Sequence, residues 1–229
     1  MWTDVQLIDL THTLNEKIPS WGGDCGFHYE IHGTYDANGY RGLHYDMVAN
    51  AGTHMDAPSH FIPGGKHVAE IPLEYLCVAL NVIDLSDRKD PDLKVSVQDI
   101  RDFEREYGTI APKSLIVVYT GWSQFFGDPE KYRNPDEKGD MHFPTFSVEA
   151  ARLLVERDVA GIGIDTLSPD AANIGYPVHH VILGANKYIV ENLSSLEKMP
   201  PKGAYAMILP LKIEEGSESP VRAVGIIPN

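Results

Sequence analysis

Residues 147–164 read Ser-Val-Glu-Ala-Ala-Arg-Leu-Leu-Val-Glu-Arg-Asp-Val-Ala-Gly-Ile-Gly-Ile, and the two halves follow different periods. Ser147 is a helix N-cap, Glu149 puts negative charge in the first turn, and Ala150, Leu153 and Leu154 form an apolar helical stripe. From Val159 to Ile164 the chain turns apolar throughout, as a buried strand does. A helix delivered straight into a buried strand is the unit of an α/β fold. The same pattern stands upstream. Ser96 caps with Asp99 three residues on, Ile100, Phe103 and Tyr107 share a face, and Gly108 ends the helix. Apolar runs at Val78–Leu85, Leu115–Tyr119 and Ala204–Leu211 supply further strands.

The first seventy residues are different. They are dense in glycine and proline, from Pro19, Gly22 and Gly23 to Pro63, Gly64 and Gly65, so loops and hairpins are expected there. The polar stretch Pro129–Asp140 reads as a surface insertion, a lid or an oligomer contact more than a linker. At 229 residues the chain is expected to form one domain, 1–229.

A net charge of −14 with only 19 basic residues disfavours surfaces that track nucleic-acid phosphates or anionic membranes, and leaves a small molecule as the expected partner. Two cysteines, Cys25 and Cys77, are too few for a disulfide scaffold. The opening MWTDVQLIDL has no signal-like character, and no run of about 18 apolar residues occurs. A cytoplasmic protein is expected.

The densest polar constellation is Asn50-Ala-Gly-Thr-His54-Met-Asp56-Ala-Pro-Ser-His60-Phe61. On a strand, His54 and Asp56 differ by two positions and project to one side, where imidazole and carboxylate can grip one cation. Gly52 lets the backbone turn before them. Pro58 stiffens the next turn and places His60 nearby on a separate segment, suited to proton exchange. Pro177-Val-His179-His180 and Glu191 can complete the site, because one His-x-Asp pair does not fill a zinc or manganese sphere. Ordinary loop histidines and a charged strand end are the alternative reading, and spacing leaves both open. Asp165, Ser168 and Asp170 form a polar strand end that lines the site or, more in keeping with its place, fixes loops. Trp122 reads as structural. A phosphate-binding Gly-rich loop, a Gly-x-Ser-x-Gly elbow and a His-Glu-x-x-His helix are all missing, which argues against NTPase, serine-hydrolase and zincin chemistry.

Residues 50–61 also carry a resemblance. The chain resembles the metal-dependent cyclase-like hydrolase family that includes bacterial kynurenine formamidase and isatin hydrolase. That family's hallmark runs His-x-Gly-Thr-His-x-Asp-x-Pro-x-His-Phe, and this sequence keeps every element but the first, where Asn50 stands. IDLTHTLNEKIPSWGGD, LIVVYTGW, FPTFSVEAARLLVERDVAGIGIDTLSPD and PVHHVILGANKYIVENL are family-like in the same order.

The resemblance implies a single α/β domain with a central mixed or barrel-like sheet surrounded by helices. It implies His54, Asp56, His179 and Glu191 as metal ligands, with Asp56 able to bridge two ions, and His60 as the catalytic acid/base. Glu191 orients water if it is not a full ligand. Asn50 replaces an imidazole ligand, and because an amide oxygen binds zinc weakly, one or two divalent ions per chain, zinc or manganese, are expected. Of the two adjacent histidines, His179 matches the pattern and His180 is a neighbour that packs beside the ligands or supports them from behind. Trp21 and Phe61 are candidates to wall an aromatic substrate pocket.

The implied reaction is hydrolysis of a small amide by metal-activated water, first an aryl formamide such as N-formylkynurenine, alternatively an isatin-type lactam or a lactone. A homodimer or homotetramer is implied as well. Asn50 also motivates a reading of another class, a non-catalytic binding protein with a degraded metal site. A purely structural metal is a third.

Overall fold

The computed structural model describes residues 4–172 and 174–229. Along the chain run β1 (Val5–Asp9), β2 (Phe27–Gly33), α1 (Tyr35–Asn38), β3 (Gly42–Met47), β4 (His54–Asp56), α2 (Leu73–Leu76), β5 (Cys77–Asp84) and β6 (Lys94–Val95). There follow α3 (Val97–Tyr107), β7 (Leu115–Tyr119), α4 (Pro129–Arg133), β8 (Thr145–Phe146), α5 (Val148–Glu156) and β9 (Gly161–Ile164). The chain ends with α6 (Pro177–Gly184), β10 (Tyr188–Glu191), β11 (Ala204–Pro210) and β12 (Glu218–Pro228).

Eight strands form the main sheet in the order β1-β12-β11-β5-β7-β9-β10-β4. β5, β7, β9 and β10 are mutually parallel, and the remaining pairings are antiparallel. β12 closes the sheet. Its first three residues pair with β4, while the rest pairs with β11 and β1. Seven strands thereby form a barrel-like ring, with β1 prolonging the edge that β4 begins.

The apolar runs are continuous because both faces of the parallel strands are covered. Leu115 and Val117 join Leu80, Val82, Val190 and Ala206 in one buried cluster. Ile116 and Val118 join Ile162, Ile164 and the helical Ile100, Leu154 and Ile182 in the other. The helices therefore pack on the outer face of the ring, as expected of an α/β architecture with a barrel-like sheet. The caps read from sequence are in place. Asp99 N–H donates to Ser96 Oγ, Ser96 N–H donates to Asp99 Oδ2, and Ala150 N–H donates to Ser147 Oγ. The bidentate pair Arg157–Glu104, at 2.8 and 2.9 Å, ties the end of α5 to α3.

Two expectations change. The strand expected from Val159 begins at Gly161, with Val159 and Ala160 as its buried approach. The stretch Pro129–Asp140 is not merely a surface insertion, because Tyr132 on α4 is fully buried among Phe126, Phe143 and Leu167. Its hydroxyl lies 2.9 Å from both Asp165 O and Asn192 Oδ1. The expected hairpin in the first seventy residues is present as β2–β3. Among the described residues no helix is long and apolar enough to cross a membrane.

The glycines of the Gly-Ile-Gly-Ile run have a packing cause. A Cβ at Gly161 would lie 2.5 Å from the Tyr188 carbonyl oxygen and 2.7 Å from its ring. That backbone neighbour has little room to yield, so Gly161→Ala is expected to cost about 1–3 kcal/mol, as overpacked cores do. Denaturant unfolding of the variant beside the parent checks this.

Candidate metal centre

β4 is three residues long and sits between two neighbours. Glu191 of β10 lies opposite His54, and Glu218 of β12 lies opposite Asp56. Directly opposed residues project from the same face of a sheet, so His54, Asp56, Glu191 and Glu218 emerge together. Met55 points the other way into the apolar filling. α6 lies over the polar face and brings His179 down to it.

Four donors then alternate around a ring. His54 Nε2 is 3.4 Å from Asp56 Oδ1 and 3.2 Å from Glu191 Oε2. His179 Nε2 is 3.4 Å from Asp56 Oδ2 and 3.4 Å from Glu191 Oε1. These spacings exceed the roughly 2.7–2.9 Å of charge-assisted hydrogen bonds. They leave each imidazole nitrogen within reach of a carboxylate oxygen on either side, as ligands around a cation stand. Asp56 is 1% exposed, yet neither of its carboxylate oxygens accepts a hydrogen bond, and Glu191 Oε1 is likewise orphaned. Buried carboxylates left this way are costly unless a cation takes the lone pairs. The donor set fits a divalent metal.

The outer nitrogens of the two histidines are fixed. His54 Nδ1 lies 2.8 Å from Gly52 O. Gly52 has φ +63°, and a Cβ there would meet Leu14 at 2.6 Å, so the turn before β4 requires glycine. Asn192 Nδ2 donates to the same carbonyl. His179 Nδ1 lies 2.8 Å from Asp170 Oδ2, and the backbone N–H groups of Val178 and His179 donate to the same carboxylate. Asp170 thus covers the N-terminus of α6 and orients the imidazole at once. Asp165 accepts from Thr120 N–H, Thr120 Oγ1–H and Ser123 N–H, which is the loop-fixing role read for this strand end.

Burial opposes charge on both histidines, but the carboxylates outweigh it. Glu191 and Asp56 raise the pKa of His54 to about 9, and Asp170, Asp56 and Glu191 hold that of His179 well above the ordinary value. The site attracts positive charge strongly, and a metal ion satisfies the same field by replacing protons.

His60, at the end of the turn Pro58–His60, stands at the rim with its ring 6.1 Å from that of His179. A cavity of about 240 Å³ opens beside it, lined by Trp21, Asn50, Phe61, Ser168 and Tyr176 as well as the acidic and histidine cluster. Trp21 and Phe61 flank Tyr176 at ring distances of 5.9 and 5.2 Å, forming an aromatic wall. Asn50 reaches the cavity but is exposed. His180 is exposed and meets Phe61 edge-on at 5.3 Å. Trp122 donates from Nε1 to Tyr132 O, a structural role. Glu218, Tyr176, Tyr132 and Asn192 are not among the residues expected from sequence.

A family model described as "Putative cyclase" matches residues 8–171. The chain belongs to the cyclase-like hydrolase family. It is 31% identical to an isatin hydrolase from Roseibium aggregatum, over 98% of this chain and 93% of that one. It is 29% identical to a kynurenine formamidase from Bacillus cytotoxicus, over 95% of each. The solved structure of isatin hydrolase A from Labrenzia aggregata bound to benzyl benzoate superposes with a TM-score of 0.91 at 33% identity, covering 99% of this chain and 95% of that one.

In this cyclase-like hydrolase, Asp170 is the carboxylate behind a metal-facing imidazole. Asp170→Asn keeps the shape and removes the charge. It is expected to weaken divalent-metal binding about 10–100-fold, the usual cost of losing such a partner, as read by metal titration.

Proposed function

We propose that this protein hydrolyses the amide bond of a small aromatic amide, using divalent metal at a centre built from His54, Asp56, His179 and Glu191. The observation that carries the reading is the closed ring of alternating imidazole and carboxylate donors with buried, unpaired oxygens. When bound, such a cation polarises a carbonyl and lowers the pKa of water from about 15.7 to roughly 7. A donor set of nitrogen and oxygen without sulfur suits zinc or manganese.

The protein's own groups supply the rest. Asp56 and Glu191 place negative charge at the reacting end of the cavity, and Glu191 orients the attacking water where it is not a full ligand. Trp21, Phe61 and Tyr176 offer ring faces against which a planar substrate can stack. His60 is half-buried at the rim and free of the four-donor ring, so it can deliver a proton to the departing nitrogen. Of the two substrates considered, the ring amide of isatin comes first, because relatives at 31% and 33% identity carry that activity in their names. The open formamide N-formylkynurenine is supported by the formamidases at 29%. The reading as a binding protein rests on Asn50 alone. The two free cysteines support a reducing, cytoplasmic setting.

Metal removal with a chelator is expected to abolish hydrolysis of isatin or N-formylkynurenine, and divalent metal to restore it. His60→Ala is expected to retain the metal while losing about 100-fold or more in kcat; an unchanged rate removes His60 from the mechanism. Failure of the metal-loaded protein on both substrates returns the binding-protein reading.

We also propose a homodimer or homotetramer, supported by the β2–β3 hairpin, which exposes Tyr29, Ile31, Tyr45 and Met47 on one projecting element. Such a patch is characteristic of an interface. Light scattering is expected to give at least twice the 25.4 kDa chain mass, and a monomer at micromolar concentration overturns it.

A further inference from the structure

A fifth donor stands beside the ring. Glu218 opens β12 opposite Asp56, so its side chain leaves the sheet on the same face as Asp56 and His54. Its carboxylate is largely buried, with the side chain 12% exposed, and Oε2 is 3.5 Å from His60 Nδ1.

Two groups of donors emerge from this arrangement. His54, Asp56 and Glu218 each present an atom within 4.8 Å of the others, and so do Asp56, His60 and His179. Asp56 belongs to both. Its two oxygens face different histidines, Oδ1 toward His54 and Oδ2 toward His179, and neither has a hydrogen-bond donor. Glu191 divides in the same way, with Oε2 toward His54 and Oε1 toward His179. A carboxylate whose two oxygens each face a different imidazole is laid out to bridge two cations, one on each side. On the His54 side only the exposed amide of Asn50 occupies the position where the hallmark has an imidazole, and a neutral amide oxygen offers no charge to a divalent ion.

We propose that Glu218 supplies the ligand that Asn50 does not, completing with His54 and Asp56 a second divalent-cation position, bridged by Asp56 to the position formed by His179, Asp56 and Glu191. This rests on the metal-dependent reading above and fixes the number of ions at two. Each position pairs one imidazole with two carboxylates, a donor set of nitrogen and oxygen that suits zinc or manganese.

The test is metal stoichiometry of the full-length protein after stripping and dialysis against manganese, with calorimetric titration alongside. Two ions per chain are expected for the parent. Glu218→Gln, which keeps shape and removes charge, is expected to bind one, with the second binding step weakened at least tenfold. Asn50→His in that background is expected to restore it. Electron paramagnetic resonance of the manganese-loaded parent is expected to show a spin-coupled pair, which tests the bridge without any substitution. One ion in the parent, two in Glu218→Gln, or two uncoupled ions overturns the proposal and leaves the hydrolase reading standing. No ion in the parent overturns the metal reading itself.

Discussion

The pairing of β4 with both β10 and β12 is the constraint on which the rest depends. Three residues close the seven-stranded ring, and two of the three carry the site. Because directly opposed side chains share a face, the register that closes the ring also decides which carboxylates meet His54 and Asp56. A slip of one residue would carry His54 and Asp56 into the apolar filling and Met55 to the cavity. Burying those charges unpaired would be far more costly than any single lost contact. Closure and chemistry are specified together.

That placement creates an electrostatic demand the fold does not satisfy by itself. Asp56 and Glu191 are buried, and their oxygens meet imidazoles at 3.2–3.4 Å without a good hydrogen bond. A set of polar groups works on the far side of the ligands. Gly52 O holds His54, Asn192 holds Gly52 O, and Tyr132 reaches Asn192 from α4. This outer network is fully paired while the inner ring is not, which is how a centre prepared for a cation differs from an ordinary buried polar cluster.

The sequence made legible whatever is local. Caps at Ser96 and Ser147, the both-face burial of Leu115–Tyr119 and the two-residue spacing of His54 and Asp56 all follow from short-range period and side-chain chemistry. Glu218 was not legible, because it becomes a neighbour of Asp56 only through pairing across more than 160 positions, and its flanking residues, Ser217 and Ser219, form no motif. Tyr132 was hidden for a different reason. It lies in a polar stretch whose composition is that of a surface loop, and one buried aromatic residue does not alter that average. Asp170 was placed at a strand end that fixes loops, and it does so, but its grip on His179 depends on how α6 returns over the sheet.

The outer partners also make the two halves of the centre unequal. Behind His179 stands a charged carboxylate, Asp170, itself held by two backbone N–H groups at the start of α6. Behind His54 stands only the neutral carbonyl of Gly52. A carboxylate raises the basicity of the opposite imidazole nitrogen more than a carbonyl does, because imidazole N–H bonded to an anion shifts more electron density across the ring. The His179 side is therefore the stronger nitrogen donor and is anchored to a helix. The His54 side hangs on a glycine turn and a three-residue strand. Strength and rigidity fall on the same half, so the His179 half is the better prepared of the two to hold a cation.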